Sequence, residues 1–232
     1  MPRTARVVFP GLPHHVTQRG NRRNRVFFSD GDYLIYLHWL RNYSAKYDLE
    51  VLAYALMPNH VHLVLAPGNK DSIHLALRCL HMRYAQRVNR HRDWLGHVWQ
   101  GRYFASVLDE PYFWSAIRYV ERNPVRASLV ERCEDYSWSS AGAHCGLRND
   151  PVLTASSHWR QQLQRVVNWS TWLAEADQAQ ALGELRRQTV KGLPCGSRQF
   201  VESLERSTGR ILHSRHPGRP PKEIGVRPLL QK

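Results

Sequence analysis

The chain has 232 residues, 42% of them hydrophobic and eight of them Trp. That is enough for one good core with an appendage or for two small domains, and too apolar for a disordered chain. Its formal charge of +14 points to a polyanionic partner, nucleic acid before an anionic membrane surface. No apolar run reaches the length of a membrane span, about 18 residues. The N-terminus lacks the apolar core of a signal peptide, and Cys79, Cys133, Cys145 and Cys195 form no C-x-x-C pair. A cytoplasmic protein with reduced thiols, without membrane association, is therefore expected.

In chain order, Pro10-Gly11-Leu12-Pro13 introduces a first strand over His14-His15-Val16-Thr17. It runs into a loop in which Arg19, Arg22, Arg23 and Arg25 fall close together. Guanidinium groups beside Gly20, Asn21 and Asn24 suit phosphate and base contacts; a solvated basic loop is the plainer alternative. Asp30 to Tyr47 has helical spacing in Tyr33, Tyr36, Leu37, Leu40 and Tyr43, with Ser29 or Asp30 as cap, and the tyrosine stripe reads as core. Strands from Val51 to Met57 and from Val61 to Ala66 form a hairpin through the turn chemistry of Pro58-Asn59. Asp71 to Asn89 is an amphipathic helix, with Ile73, Leu77, Leu80, Tyr84 and Val88 along one face. A strand near Tyr103 to Leu108, a helix from Pro111 to Asn123 and a helical segment from Val125 to Val130 follow.

The order β-α-β-β-α-β-α predicts an α+β domain over residues 1–140, a ferredoxin-like antiparallel sheet with helices on one face. Residues 141–210 read as a helical extension: a loop to residue 158, short helices near 158–174 and 176–190, and an amphipathic helix with Phe200, Val201 and Leu204. Residues 211–232 are a basic, Pro-rich tail expected to be flexible, in which Gly218-Arg219-Pro220 could lie in a minor groove.

Two stretches carry chemistry. On a strand, His60 and His62 project to one side, about 6–7 Å apart along it. Two imidazoles so spaced can converge on a divalent ion, or can simply line the polar face of a half-buried strand. Tyr119 and Asn123 lie four apart on the later helix and share a face, with Asn123 held at the helix end by Pro124. A cation held by His60, His62 and Asn123 would leave room for water and a phosphate oxygen, and the Tyr119 phenol would attack the phosphorus. The plainer reading of Tyr119 is a core residue. Glu121 falls on a different helix face and is the poorer ligand.

His60-Val61-His62 resembles the His-hydrophobic-His motif of single-tyrosine nucleases, the HUH motif. Tyr119-Val120-Glu121-Arg122-Asn123-Pro124-Val125-Arg126-Ala127 resembles the tyrosine helix of IS200-like transposases, and within these the chain is similar to REP-associated tyrosine transposases. Supporting stretches are Pro13 to Asn21, Met57 to His62 and Trp99 to Tyr103; the likeness is close over residues 8–135 and looser beyond. The resemblance implies the ferredoxin-like fold and metal-dependent cleavage and rejoining of single-stranded DNA through a 5′-phosphotyrosyl intermediate. It implies a palindromic hairpin with a short tetranucleotide at its foot as substrate. Arg19, Asn21, Arg22 and Arg23 are expected to help read that tetranucleotide, and Arg102 and Arg126 to complete the DNA contacts. Imidazoles suit Mn²⁺ better than Mg²⁺, yet the family looks Mg²⁺- or Mn²⁺-dependent, and either ion is expected. A monomer is expected, with a dimer as the alternative. Ser128 stands where the family often has Gly, with little effect expected.

Two other readings compete. A histidine-triad phosphohydrolase would need a third strand histidine where Val64 stands, and leaves the charge unexplained. A structure-specific DNA-binding protein with weak or no cleavage keeps the same residues.

Overall fold

The computed structural model describes residues 7–154 and 156–213; the expected Gly218-Arg219-Pro220 arm lies outside them. The elements run β1 (His14–Arg19), α1 (Asp30–Lys46), β2 (Leu49–Met57), β3 (His60–Pro67), α2 (Ser72–Arg92), β4 (Phe104–Val107), α3 (Glu110–Glu121) and α4 (Asn123–Arg126). The extension adds α5 (Ala141–His144), α6 (Ser157–Leu163), α7 (Trp169–Ala174), α8 (Ala179–Lys191) and α9 (Arg198–Thr208). No described helix is long and apolar enough to cross a membrane.

The strands pair antiparallel in the order β2-β3-β1-β4. This is the ferredoxin-like order, reached because each helix carries the chain over the sheet before the next strand is laid down. The hairpin turn at Pro58-Asn59 is fixed from outside: Val26 N donates to the Pro58 carbonyl and Gly20 N to the Asn59 carbonyl, each at 2.8 Å. Gly20 has no room for a side chain, since a Cβ there would stand 2.2 Å from the Asn24 carbonyl oxygen.

Strand alternation divides the sheet into two faces. Val16, Val61, Leu63 and Leu65 turn to the first, where Tyr36 and Leu40 of α1 and Leu77, Leu80 and Tyr84 of α2 complete a core. The tyrosine stripe of α1 belongs to this core. The second face is covered as well, so helices on one face describe the ferredoxin core but not the whole sheet. A bulge between Val51 and Ala53 turns both Leu52 and Ala53 to that side, where they meet Val64, Phe113, Ile117 and Val120 of α3 and Leu182 and Leu185 of α8. Burying three such α3 side chains at about 2 kcal/mol each fixes that helix against the sheet.

Asp109 caps α3 by accepting from Tyr112 N at 3.0 Å, and its second oxygen accepts from Ser197 N at 2.8 Å. Cys195 N also donates to the Val107 carbonyl at 2.8 Å. The extension thus continues the β4 edge and packs on the domain. Within the stretch expected to be a loop, residues 141–144 form α5. Ser128 follows α4 at φ 54, with Leu129 N bonded to the Pro124 carbonyl at 3.0 Å and Ser128 N to the Val125 carbonyl at 2.9 Å. That is a Schellman end whose left-handed position favours glycine, so the Ser128 departure carries a conformational cost.

Candidate active site

On β3, the parity that sends Val61 and Leu63 into the first core sends His60 and His62 to the second face. Their ring centroids lie 4.9 Å apart and nearly perpendicular. β1 runs alongside with Thr17 opposite His62 and Arg19 opposite His60. From β1, His15 stacks on His62 at 5.3 Å, with its Nε2 3.0 Å from His62 Nδ1 and its Nδ1 2.8 Å from Thr189 Oγ1. From α3, Tyr119 meets both rings edge-on, 5.2 Å from His62 and 5.6 Å from His15. Four rings from two strands and one helix thus form one cluster, with Tyr119 only 6% exposed.

Burial sets the charge of the imidazoles, because a protonated ring there would be poorly solvated. It holds His15 down to about 3. Burial, then the Arg19 charge, holds His60 down to about 4. His62 is pushed well below its ordinary value by burial, with His60, His15, Arg126 and Arg19 adding to it. The rings are therefore neutral near pH 7 and carry lone pairs.

His60 Nδ1 lies 2.6 Å from Asn59 Oδ1, and Asn59 Nδ2 donates to the Arg23 carbonyl at 3.0 Å. A carbonyl only accepts, so the amide oxygen of Asn59 receives the His60 proton and leaves Nε2 of that ring bare. Neither His60 nor His62 uses its Nε2 in a hydrogen bond among the described residues. Asn123 is buried at the start of α4, and its Nδ2 has no partner among the described residues. Two free imidazole nitrogens suit a divalent cation with open positions for oxygen ligands, and an amide would join them through its oxygen, not its nitrogen. Among the described residues, no group of three or more His, Cys, Asp or Glu side chains is arranged for a metal. A third protein ligand here would have to be of another type. His15 cannot supply a third imidazole, because both its nitrogens are already bonded. Glu121 is fully buried facing away, where it accepts from Ser140 and from His144.

Two guanidinium groups flank Tyr119. Arg126 lies over its ring, 4.2 Å from the centroid, and Arg186 of α8 lies 5.1 Å away and donates Nε–H to the hydroxyl at 3.3 Å. Arg126 also donates to the Tyr119 carbonyl at 2.6 Å and pairs with Asp177 at 3.3 Å. Arg118 and Arg122, one turn apart on the same helical face, reach the same carboxylate at 3.9 and 3.1 Å. Arg126, expected to contact DNA, thus also holds Tyr119 and Asp177 inside the protein.

Residues 9–123 match the family model described as Transposase IS200 like. This stretch belongs to the IS200-like transposase family. The chain is 25% identical over 105 residues to a Haemophilus influenzae protein named as a REP-associated tyrosine transposase. That match covers 40% of this chain and 60% of the relative's length. A solved structure of a REP-associated tyrosine transposase bound to a REP hairpin superposes with a TM-score of 0.54 at 19% identity, over 68% of this chain and 93% of that one. It has the same fold.

In this IS200-like domain, the other basic residues gather where His60 opens β3. Arg19 ends β1 opposite it, and Gln100 N donates to the Arg19 carbonyl at 2.8 Å, which brings the exposed Arg102 close by. Arg22 and Arg23 are exposed in a turn closed by Asn24 N on the Asn21 carbonyl at 2.9 Å, both left-handed with φ of 52 and 63. Such positions cost a non-glycine residue about 1–2 kcal/mol each. Asn21 is half-buried, its N–H bound to the Val98 carbonyl. Sequence reasoning missed His15, Asn59, Arg186 and Thr189. His15 had a usable signal, since strand parity sets it on the face of Thr17 and Arg19; Arg186 and Thr189 had none.

Proposed function

We propose that this chain is a REP-associated tyrosine transposase that cuts and rejoins single-stranded DNA at the foot of a palindromic hairpin. Tyr119 is the nucleophile, and His60, His62 and Asn123 hold Mg²⁺ or Mn²⁺. The observation that carries this reading is the packing of Tyr119 against the one sheet face that presents two imidazoles with bare Nε2 atoms. When bound, the cation polarises the scissile phosphate as a Lewis acid.

The chain's own residues do the rest. Tyr119 Oη bonds to the phosphorus as the bond to the 3′ oxygen breaks; its proton passes to water, and the released strand takes one up as a 3′-OH. The phosphotyrosyl bond keeps the energy of the broken link, so a 3′-OH can attack in turn and release Tyr119. Arg186 stands at the hydroxyl oxygen as its charge develops, and Arg126 lies over the ring. Arg19, Arg22, Arg23 and Arg102 contact the hairpin and its flanking bases, with Asn21 shaping their loop. The chain acts as a monomer.

Binding without cleavage is the second reading, favoured by the burial of Tyr119. The histidine-triad alternative fails, since Val64 is fully buried in the second core. A hairpin oligonucleotide labelled at its 5′ or 3′ end, incubated with Mn²⁺ or Mg²⁺, decides between the two. The expected result is a denaturant-resistant adduct on the 5′-phosphate side, absent with EDTA and in Tyr119→Phe. A wild type that binds the hairpin but forms no adduct with either ion overturns the transposase reading in favour of binding.

A further inference from the structure

We infer that the C-terminal extension sets the protonation pattern of the site: through Thr189 and His15, α8 places the single proton of His62 on Nδ1 and keeps Nε2 bare. The inference rests on the reading of His62 as a metal ligand, and gives His15 and Thr189 the role of positioning residues.

Protons can be counted along one chain of contacts. Thr189 Oγ1 lies 2.7 Å from the Leu185 carbonyl one turn back on α8. A carbonyl oxygen only accepts, so the hydroxyl gives its one proton there. Toward His15 Nδ1, at 2.8 Å, Thr189 Oγ1 can then only accept. His15 therefore carries its proton on Nδ1. A neutral imidazole has one N–H, so His15 Nε2 is a lone pair. His62 Nδ1, 3.0 Å from it, must donate. The proton of His62 is thereby committed, and its Nε2 faces the site as a donor to a cation. His15 and Thr189 are each 1% exposed and His62 5%, so water does not compete for these links. Asn59 does the same for His60 from the opposite side. A ligating histidine needs its other nitrogen anchored in this way, and losing the anchor typically costs about 10- to 100-fold in metal affinity.

The test uses the full chain with ¹⁵N-labelled histidine and no metal, reading each ring's tautomer from long-range ¹H–¹⁵N correlations. In the wild type His62 is expected with its proton on Nδ1. Thr189→Val keeps the volume and removes the acceptor; His15 then moves its proton to Nε2, and His62 is driven to the Nε2–H form. Calorimetric titration with Mn²⁺ alone should show the affinity of Thr189→Val lowered about 10- to 100-fold, with Thr189→Ser restoring both the tautomer and the affinity. A wild-type His62 already protonated on Nε2, or a folded Thr189→Val unchanged in tautomer and affinity, overturns the inference. Should Thr189→Val not fold, the wild-type and Thr189→Ser tautomers still decide it. Failure of the metal reading looks different: Mn²⁺ would leave the His60 and His62 signals unbroadened in the wild type, whatever their tautomers.

Discussion

One amide, that of Asn59, serves both halves of the site. Its nitrogen holds the Arg23 carbonyl of the basic loop and its oxygen holds the His60 ring. Asn59→Ala removes both supports, and should weaken Mn²⁺ binding about tenfold while also weakening hairpin binding. Asn59→Asp keeps an acceptor for His60 but offers the Arg23 carbonyl no donor, so it should spare the metal and weaken the hairpin. Titrating each variant with Mn²⁺ and with hairpin DNA separates the effects; equal Mn²⁺ affinity in wild type and Asn59→Ala would sink the assignment. The sequence made His60, His62, Tyr119 and Asn123 legible because strand and helix periodicities are local. Thr189 meets His15 across 174 positions of chain, and no periodicity spans that. The pairing of Arg126 is hidden for the same reason: its charge is visible in the sequence, but its partner Asp177 lies 51 residues away.

Local rules also gave the elements themselves. Every strand and helix of residues 10–126 lies within a few positions of its sequence signal, because alternation, helical spacing, Ser29, Pro111 and the Pro58-Asn59 turn act at short range. Backbone strain was not legible, since it depends on how the chain must close. Ser128 shows the difference: its residue type suggests nothing unusual, while its φ of 54 places it where glycine pays no steric penalty. The side chain is exposed and loses no packing on removal. Ser128→Gly should therefore stabilise the fold by about 1 kcal/mol, less the extra chain entropy of glycine, and raise Tm by about 3 °C. Calorimetry reads this directly, and an unchanged or lower Tm would mean that the Schellman end is not under strain. The docking of the extension was equally hidden. Its anchors are Asp177 under three arginines and Cys195 on the edge of β4, contacts that only the assembled sheet creates.

At the scale of the molecule, the charge of +14 pointed outward to a polyanion, but several histidines, His14, His15 and His81 among them, turn inward and make the fold acid-sensitive. β1 is an inner strand of the sheet, and its neighbours His14 and His15 face opposite sides. His14 is fully buried, bound to the Leu12 carbonyl and to Phe9 N, and burial holds it down to about 4. His15 on the other face and His81 beside Trp99 are each held at about 3. In the unfolded chain these rings take up protons near pH 6.5. Between that value and the folded ones, the unfolded state binds more protons, so stability is present above pH 6.5 and drains away as the pH falls toward 4. For His14 the loss is about 1.4 kcal/mol per pH unit, or about 2 kcal/mol by pH 5, and the other two act in the same direction. Urea unfolding at pH 7 and pH 5 should show the drop, and His14→Gln, which cannot titrate, should show a smaller one. Because protonation would put charge into either core through the same strand, the acid transition should be global, with fluorescence and circular dichroism coinciding. Equal stability at the two pH values would mean that these rings are hydrated in solution and that the sheet faces are less closed than their packing indicates.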